Sequence, residues 1–335
     1  MPPEHQTAMT LQTAQSTRVA TPNSGHRPID LKAPNHRNRA ILRRGLFPHK
    51  PQADASFLTS IDPIESESYD FIRGLVYDHS GINLGDDKTE LVRSRLQKRL
   101  RILGLKSFKE YCALLNSSSG ADEIPALLDV ISTNVTDFFR EWSHFEFIRD
   151  RVLPEWRSGP EKTGSIFRAW SAACSSGEEP YSLSILLNEC LRRESGAGWK
   201  IMATDLSTRM LATAERAIYR QERVKLPQSE WLRRYFQQGR GNVAGYYRVK
   251  AEVRQTVEFS RLNLMETQYR FPQKFHTIFC RNVMIYFDRK TQEQLVPRLA
   301  EQLEPGGYLM VGHSESLVSI THGLKCIKPS IYQKA

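Results

Sequence analysis

The feature that most limits the fold is an alternation that begins at residue 165. Short runs rich in β-branched and aromatic residues, at 165–172, 200–204, 256–260, 275–280 and 308–312, are separated by stretches of helical period at 181–193, 208–217 and 290–303. Strands alternating with helices predict a parallel α/β sheet. In such sheets ligands bind outside the carboxyl ends of the strands. The run FCRNVMIYFD, residues 279–288, sits at one such end, where apolar residues break into Arg281 and Asn282 and then an aromatic pair. Arg281, Asn282 and Tyr286 are therefore candidates for one site.

Upstream the pattern is helical. In the stretch 88–105, Leu91, Val92, Leu96, Leu100 and Leu103 share one face, and Arg93, Arg95, Lys98, Arg99 and Arg101 share the other with few acids near them. Residues 59–136 are predicted to form an N-terminal all-α domain. Residues 137–335 are predicted to form the α/β domain, interrupted at about 226–258 by a glycine-bearing stretch with the alternating Tyr247, Arg248, Val249 and Lys250. That stretch reads as a small inserted antiparallel β-subdomain. Residues 1–58 are rich in Pro, Gln, Thr, Asn, His and Arg without sustained periodicity, and a disordered basic tail is expected. It lacks the apolar core of a secretory signal.

Two domains suit 335 residues. No apolar run approaches the roughly 18 residues of a membrane span, so no membrane insertion is expected. The five cysteines are odd in number and form no C-x-x-C pair. That argues against a disulfide framework or a zinc site and for a reducing compartment, and no metal is expected. A net charge of +10 suits nucleic acid, an anionic membrane surface or an acidic protein partner, without choosing among them.

Three more segments suit the same site. WSAACSSGEEPYS, residues 170–182, reads as a tight strand-to-helix turn that brings backbone N–H groups to a ligand. It lacks the G-x-G-x-x-G of a dinucleotide site, and Glu178 and Glu179 stand where they would repel phosphate and favour a cation. The same pair also suits a helix start that complements the macrodipole. Asp205 ends the second strand, where an acid accepts hydrogen bonds from ribose hydroxyls or caps the next helix. Taken together, the acidic turn and the ribose acid select a phosphate-free nucleoside carrying positive charge, as in S-adenosylmethionine. STNVTDFFRE, residues 132–141, sets Asn134, Thr136 and Arg140 among apolar neighbours at the domain junction. That junction is either interdomain packing or a roof over the cofactor, with Arg140 placed to bind a carboxylate through its planar fork.

STNVTDFFRE, WSAACSSGEEPYS, the Asp205 strand end, residues 257–264 and FCRNVMIYFD, in this order, resemble the chemotaxis receptor methyltransferase family, CheR, over about residues 69–332. VGHSES, residues 311–316, matches the family's late strand. The resemblance implies a Rossmann-like S-adenosylmethionine-dependent methyltransferase sheet with an N-terminal all-α domain and a small inserted β-subdomain. It implies cofactor contacts at Asn134, Thr136, Arg140, Glu179, Asp205, Asn263, Leu264, Arg281 and Asn282, with Arg140 and Tyr286 flanking the methyl group and its acceptor. The implied reaction is methyl transfer to glutamate side chains of methyl-accepting chemoreceptors, yielding glutamyl methyl esters and S-adenosylhomocysteine, as in EC 2.1.1.80.

Partners follow from the same resemblance. The basic face holding Arg93, Arg95, Lys98 and Arg99 is either a solvated surface or a dock for acidic receptor helices. Gly239, Gly241 and Gly245 resemble the pattern of members that bind a peptide at the receptor's C-terminus, or else serve a hairpin turn. A monomer is expected, cytoplasmic and recruited to membrane receptor arrays. Competing classes are an RNA methyltransferase, a regulator or methyltransferase of another chemosensory-like pathway, and a cofactor-binding scaffold. The basic residues are not interleaved with stacking aromatics, so no nucleic acid is expected.

Overall fold

Helical periodicity ahead of residue 132 produces four packed helices, α1 (Ser66–Ser80), α2 (Thr89–Leu103), α3 (Phe108–Leu115) and α4 (Gly120–Ile131). The computed structural model describes residues 63–159, 166–192 and 197–335, all within a unit spanning 53–335. The tail expected at 1–58 lies outside the described residues. Helix α1 stops where Gly81 adopts φ 71° and its N–H returns to the Tyr77 carbonyl. That is a left-handed C-terminal stop that glycine adopts without strain. Ile72, Val76, Val92, Leu96, Leu100, Tyr111 and Leu127 are fully buried between the four helices.

The basic face of α2 is less free than its sequence suggests. Arg99 donates from Nε and Nη2 to Glu123 at 2.8 and 2.5 Å, and the Tyr111 hydroxyl donates to the same carboxylate at 2.8 Å. Arg95 donates to the Ile131 carbonyl and, at 2.9 Å, to the Thr133 hydroxyl. Arg93 pairs with Glu90 at 2.9 Å, while Lys98 is exposed. The reading of this face as nearly unopposed is thus corrected. For Arg95 and Arg99 the answering Glu123 carboxylate and Ile131 carbonyl come from α4 and the Thr133 hydroxyl from the junction, which local spacing within α2 does not reveal.

After the junction come α5 (Trp142–Phe147), a π-helical turn at Ile148–Val152 and α6 (Leu153–Ser158). The strands are β1 (Ile166–Ala172), β2 (Gly198–Asp205), β3 (Ile218–Arg220), β4 (Phe236–Gln238), β5 (Tyr246–Val249), β6 (Val257–Arg261), β7 (Phe275–Cys280), β8 (Leu303–Met310), β9 (Leu324–Lys328) and β10 (Ile331–Lys334). The intervening helices are α7 (Glu178–Leu191), α8 (Thr208–Arg216), α9 (Ser229–Tyr235), α10 (Ala251–Arg254) and α11 (Arg289–Glu301).

Seven strands form one sheet in the order β6-β2-β1-β7-β8-β10-β9. The first five run parallel, and β10 and β9 add an antiparallel edge. Parallel strands buried on both faces divide their side chains between two cores. Phe167, Ala169 and Phe279 face one core, and Trp170, Ala172, Ile278 and Cys280 face the other. The chain leaves β1 towards β2 on one side and later returns to β7 on the other, so the strand order reverses beside β1. A crevice opens at such a reversal.

The remaining strands form a separate sheet, β3-β5-β4, antiparallel throughout. It spans Ile218 to Val249, starting earlier than the expected 226–258 because β3 follows α8 directly and pairs with β5, and ending earlier because the chain then enters α10 and β6, which pairs with β2 in the main sheet. Its glycines serve the β4–β5 turn. A Cβ on Gly239 would lie 2.1 Å from the Val243 carbonyl oxygen, and Gly241 and Gly245 have φ of 58° and 83°.

Replacing Arg99 by Ala would leave the buried Glu123 carboxylate without its cation. The expected loss is about 3 kcal/mol, the scale for breaking one side of a buried pair. It should be read as a lower denaturation midpoint. A midpoint equal to wild type would show the pair to be dispensable.

Candidate active site at the strand tips

A cleft of about 880 Å³, counted out to its open mouth, lies at the carboxyl ends of β1, β2, β6 and β7. The helical domain supplies its roof. Ser80 ends α1 and Ile82 follows it, and the 132–136 junction follows α4. Several hydrogen bonds hold the roof down, three of them at the α1 end. Asn263 Nδ2 donates to the His79 carbonyl at 2.6 Å, Asn83 N–H donates to the Tyr286 carbonyl at 2.8 Å, and the Tyr77 hydroxyl donates to Asp288 at 2.8 Å.

Every residue expected to touch the cofactor lines this one cleft: Asn134, Thr136, Arg140, Glu179, Asp205, Asn263, Leu264, Arg281 and Asn282, with Tyr286 beside them. The docking residues Arg93, Arg95, Lys98, Arg99, Gly239, Gly241 and Gly245 do not line it. Asp205 accepts the backbone N–H groups of Ser175 and Ser207 at 2.7 and 2.8 Å. Burial raises its pKa, and the backbone donors oppose that rise. The cap of α8 is Ser207 instead, whose side chain accepts the Met210 N–H. Arg140 stays tethered to its own junction, donating to the Val135 carbonyl at 3.0 Å. Asn134 offers its carbonyl to the Ser175 hydroxyl at 3.1 Å. The Leu264 carbonyl takes the Tyr269 hydroxyl at 2.7 Å.

The two acids of the first turn part ways. Glu178 turns inward, where it is buried and accepts from Ser176 at 2.6 Å and Arg223 at 3.2 Å, and burial raises its pKa. Glu179 faces the cleft and accepts the Ser171 hydroxyl at 2.6 Å. Its pKa is also raised by burial, with Arg281 partly offsetting the effect. Cys174 and Cys280 are buried thiols whose pKa values burial raises well above the ordinary value.

Arg281 joins three segments. It donates to Glu179 at 3.1 Å, to Glu141 at 3.0 Å and to the Arg140 carbonyl. Glu141 also accepts from the Asn282 side chain at 3.1 Å and the His313 N–H at 3.3 Å. Burial alone would raise the Glu141 pKa, but Arg281 and Asn282 hold it below the ordinary range. Sequence reasoning assigned no role to Glu141, although it directly follows Arg140 in the quoted motif. An acid closing an apolar aromatic run was the signal. Glu141, His144 and His313 offer ligand atoms within 4.8 Å of one another. The guanidinium on the same carboxylate opposes a cation there.

Backbone strain concentrates here. Seven non-glycine residues among those described have positive φ, and five of them are Phe139, Glu141, Ala173, Ser175 and Asn282. Each such conformation costs on the order of 1 kcal/mol or more, and persists where its surroundings over-determine it.

A Rossmann-like sheet whose switch-point cleft carries two acids and no phosphate-binding glycine loop defines a nucleoside-binding enzyme of the methyltransferase class. Residues 134–332 match the family described as CheR methyltransferase, SAM binding domain, and residues 67–132 match that described as CheR methyltransferase, all-alpha domain. The chemotaxis protein methyltransferase of Escherichia coli is 43% identical over 245 residues, covering 73% of this chain and 82% of that protein. The Salmonella typhimurium protein of the same name is 40% identical over 258 residues, 77% of this chain and 86% of its own. The protein so named in Borreliella burgdorferi is 39% identical over 264 residues, 78% of this chain and 91% of its own. The chain belongs to the CheR methyltransferase family, and its cofactor is S-adenosylmethionine. The cleft fits that molecule, because Glu179 and Asp205 suit an amino group and ribose hydroxyls. Among the described residues, no helix is long and apolar enough to cross a membrane.

His144, 1% exposed, has its pKa pushed down to about 3 by burial and then by Arg281. An unfolded imidazole titrates near ~6.5. The unfolded chain therefore binds the extra proton in that window, and stability falls as pH drops from about 6.5 towards 3. Between about pH 7 and 5, wild type should lose about 1–2 kcal/mol more than His144→Gln. Parallel denaturation curves at both pH values would refute this.

Proposed function

We propose that the chain methylates glutamate side chains of chemoreceptors, producing glutamyl methyl esters and S-adenosylhomocysteine. One observation carries the choice of acceptor: among the described residues, no histidine, lysine or cysteine lines the cleft, and its two carboxylates, Glu179 and Asp205, already accept from Ser171 and Arg281 and from the Ser175 and Ser207 amides. An amine or hydroxyl acceptor needs a base to take its proton. A glutamate carboxylate, which in water titrates near ~4.3, is already ionised at neutral pH. When bound, S-adenosylmethionine would supply an electrophilic methyl group for a carboxylate oxygen, its sulfur departing as the neutral thioether of S-adenosylhomocysteine. The names of the relatives support a role in chemotaxis.

The chain's own residues then bind and align. Asp205 holds the ribose, Glu179 the amino end, and the Asn263–Leu264 backbone the adenine edge. Asn134 and Thr136 close the cofactor from above, and Arg281 with Asn282 fixes the floor beside it. Arg140 orients the acceptor carboxylate, and Tyr286 flanks the methyl group. Alignment of this kind can account for several kcal/mol, up to about 7–11 in the most favourable intramolecular reactions.

Receptor docking falls to exposed Lys98 of α2, with half-buried Arg93 and its partner Glu90 beside it, since Arg95 and Arg99 are engaged inside the domain. The edges of the small sheet are the candidate dock for an extended C-terminal receptor peptide by strand addition. Such a tether raises local enzyme concentration without new chemistry.

Incubation with labelled donor and a receptor cytoplasmic fragment should give a base-labile methyl label. A base-stable label, or label on RNA, would exclude the ester reading. Arg140→Ala should lower turnover at least a hundredfold while S-adenosylhomocysteine binding weakens far less. Equal turnover by both proteins at saturating substrate would remove Arg140 from that role. The KM for the fragment should rise with salt and with Lys98→Glu. A flat salt response would count against docking on α2, and a null calorimetric titration with the receptor's C-terminal peptide would remove the tether.

A further inference from the structure

The loop after β8 carries a carboxylate that the functional reading does not use. Glu315 is 7% exposed. Its Oε2 accepts the backbone N–H groups of Asn282 at 2.8 Å and Gly312 at 2.6 Å, and its Oε1 accepts the Ile285 N–H at 3.2 Å. One side chain thus gathers three amides from two strand-tip loops, those after β7 and β8. Hydrogen bonds to an ionised acceptor are stronger than neutral ones.

The clasped turn is the one that needs holding. Asn282 has φ 57°, a left-handed conformation that residues with a Cβ adopt rarely and asparagine more readily than most. The packing leaves little slack. A Cβ on Gly312 would lie 2.5 Å from Asn282 Nδ2 and 2.7 Å from Glu315 Oε2. The clasped amides fall at 282 and 285, and Asn282 and Tyr286 both face the cleft.

We propose that Glu315 is a positioning residue for methyl transfer, whose carboxylate fixes the 282–286 turn so that Asn282 and Tyr286 meet the cleft in one geometry. The proposal rests on the reading that Asn282 and Tyr286 act there. Glutamine has the same shape but turns one acceptor oxygen into a donor. That donor then faces an N–H group, so at least one clasp is lost.

The Glu315→Gln protein should show kcat on the receptor fragment reduced at least tenfold. Its affinity for S-adenosylhomocysteine should fall by a smaller factor than kcat, because Glu179 and Asp205 are untouched and Asn282 is one cofactor contact among several. Glu315→Asp, which keeps the charge, should recover part of the rate. Amide hydrogen exchange across 281–287 should speed up at least tenfold in Glu315→Gln, and this readout needs no acceptor. If Glu315→Gln does not fold, Glu315→Asp takes its place with the same readouts. Asn282→Ala and Tyr286→Phe serve as references. If both retain wild-type turnover, the reading of the cleft itself fails. If they slow turnover while folded Glu315→Gln keeps wild-type kcat and unchanged exchange, the positioning role is overturned.

Discussion

The structure depends on one guanidinium. The Arg281 side chain is 1% exposed, at the end of the fourth strand of the parallel set, and it reaches both the junction and the start of α7. Removing such a charge from water costs several kcal/mol, offset only by close partners with good geometry. Glu141 and Glu179 provide charge, the Arg140 carbonyl takes a further N–H, and the Phe279 and Phe145 rings lie 5.2 and 5.8 Å away. Three segments far apart in sequence therefore share one charge balance. None can move without leaving an unmatched ion, which is how a loop-built cleft gains definite geometry.

That constraint explains why strain is tolerated around it. Phe139 and Glu141 hold left-handed backbone on one side of Arg281, and Asn282 does so on the other. The Phe139 N–H is fixed by the Ser182 hydroxyl at 2.9 Å, and Ser182 in turn donates to the Glu178 carbonyl. Glu178 is itself gripped by Arg223 from the small inserted region, which also donates to the Thr136 carbonyl. Junction, first turn and insert thereby form one network behind the cleft wall.

The architecture was legible where local pattern and tertiary environment agree. Phe275–Cys280 matches its expected bounds because a strand buried on both faces lacks charge and favours aromatic and β-branched residues, here with His276 half-buried. The helix after Glu178 and the antiparallel insert were also readable. The strands Leu324–Lys328 and Ile331–Lys334 were not, since an edge pair with exposed Lys325 and Cys326 carries little alternation. The cleft's lining was named by motif order, whereas the commitments of its side chains were not. Arg95 and Arg99 looked like surface charge because Thr133 and Glu123 answer them from another helix and the junction. Glu315 was hidden for the same reason: a carboxylate that collects amides from other loops leaves no spacing signature.

The bonds from His79 and Asn83 to the lips of the cleft have a thermodynamic corollary. Whatever fills the space between roof and sheet touches both, so occupancy and interdomain cohesion are linked functions. A ligand at a hundred times its dissociation constant adds about 2.7 kcal/mol to the state that binds it. That increment falls on the seam between the two domains. The loaded protein should melt as a single cooperative body, and the empty one should fray first where α1 meets the tips of β6 and β7.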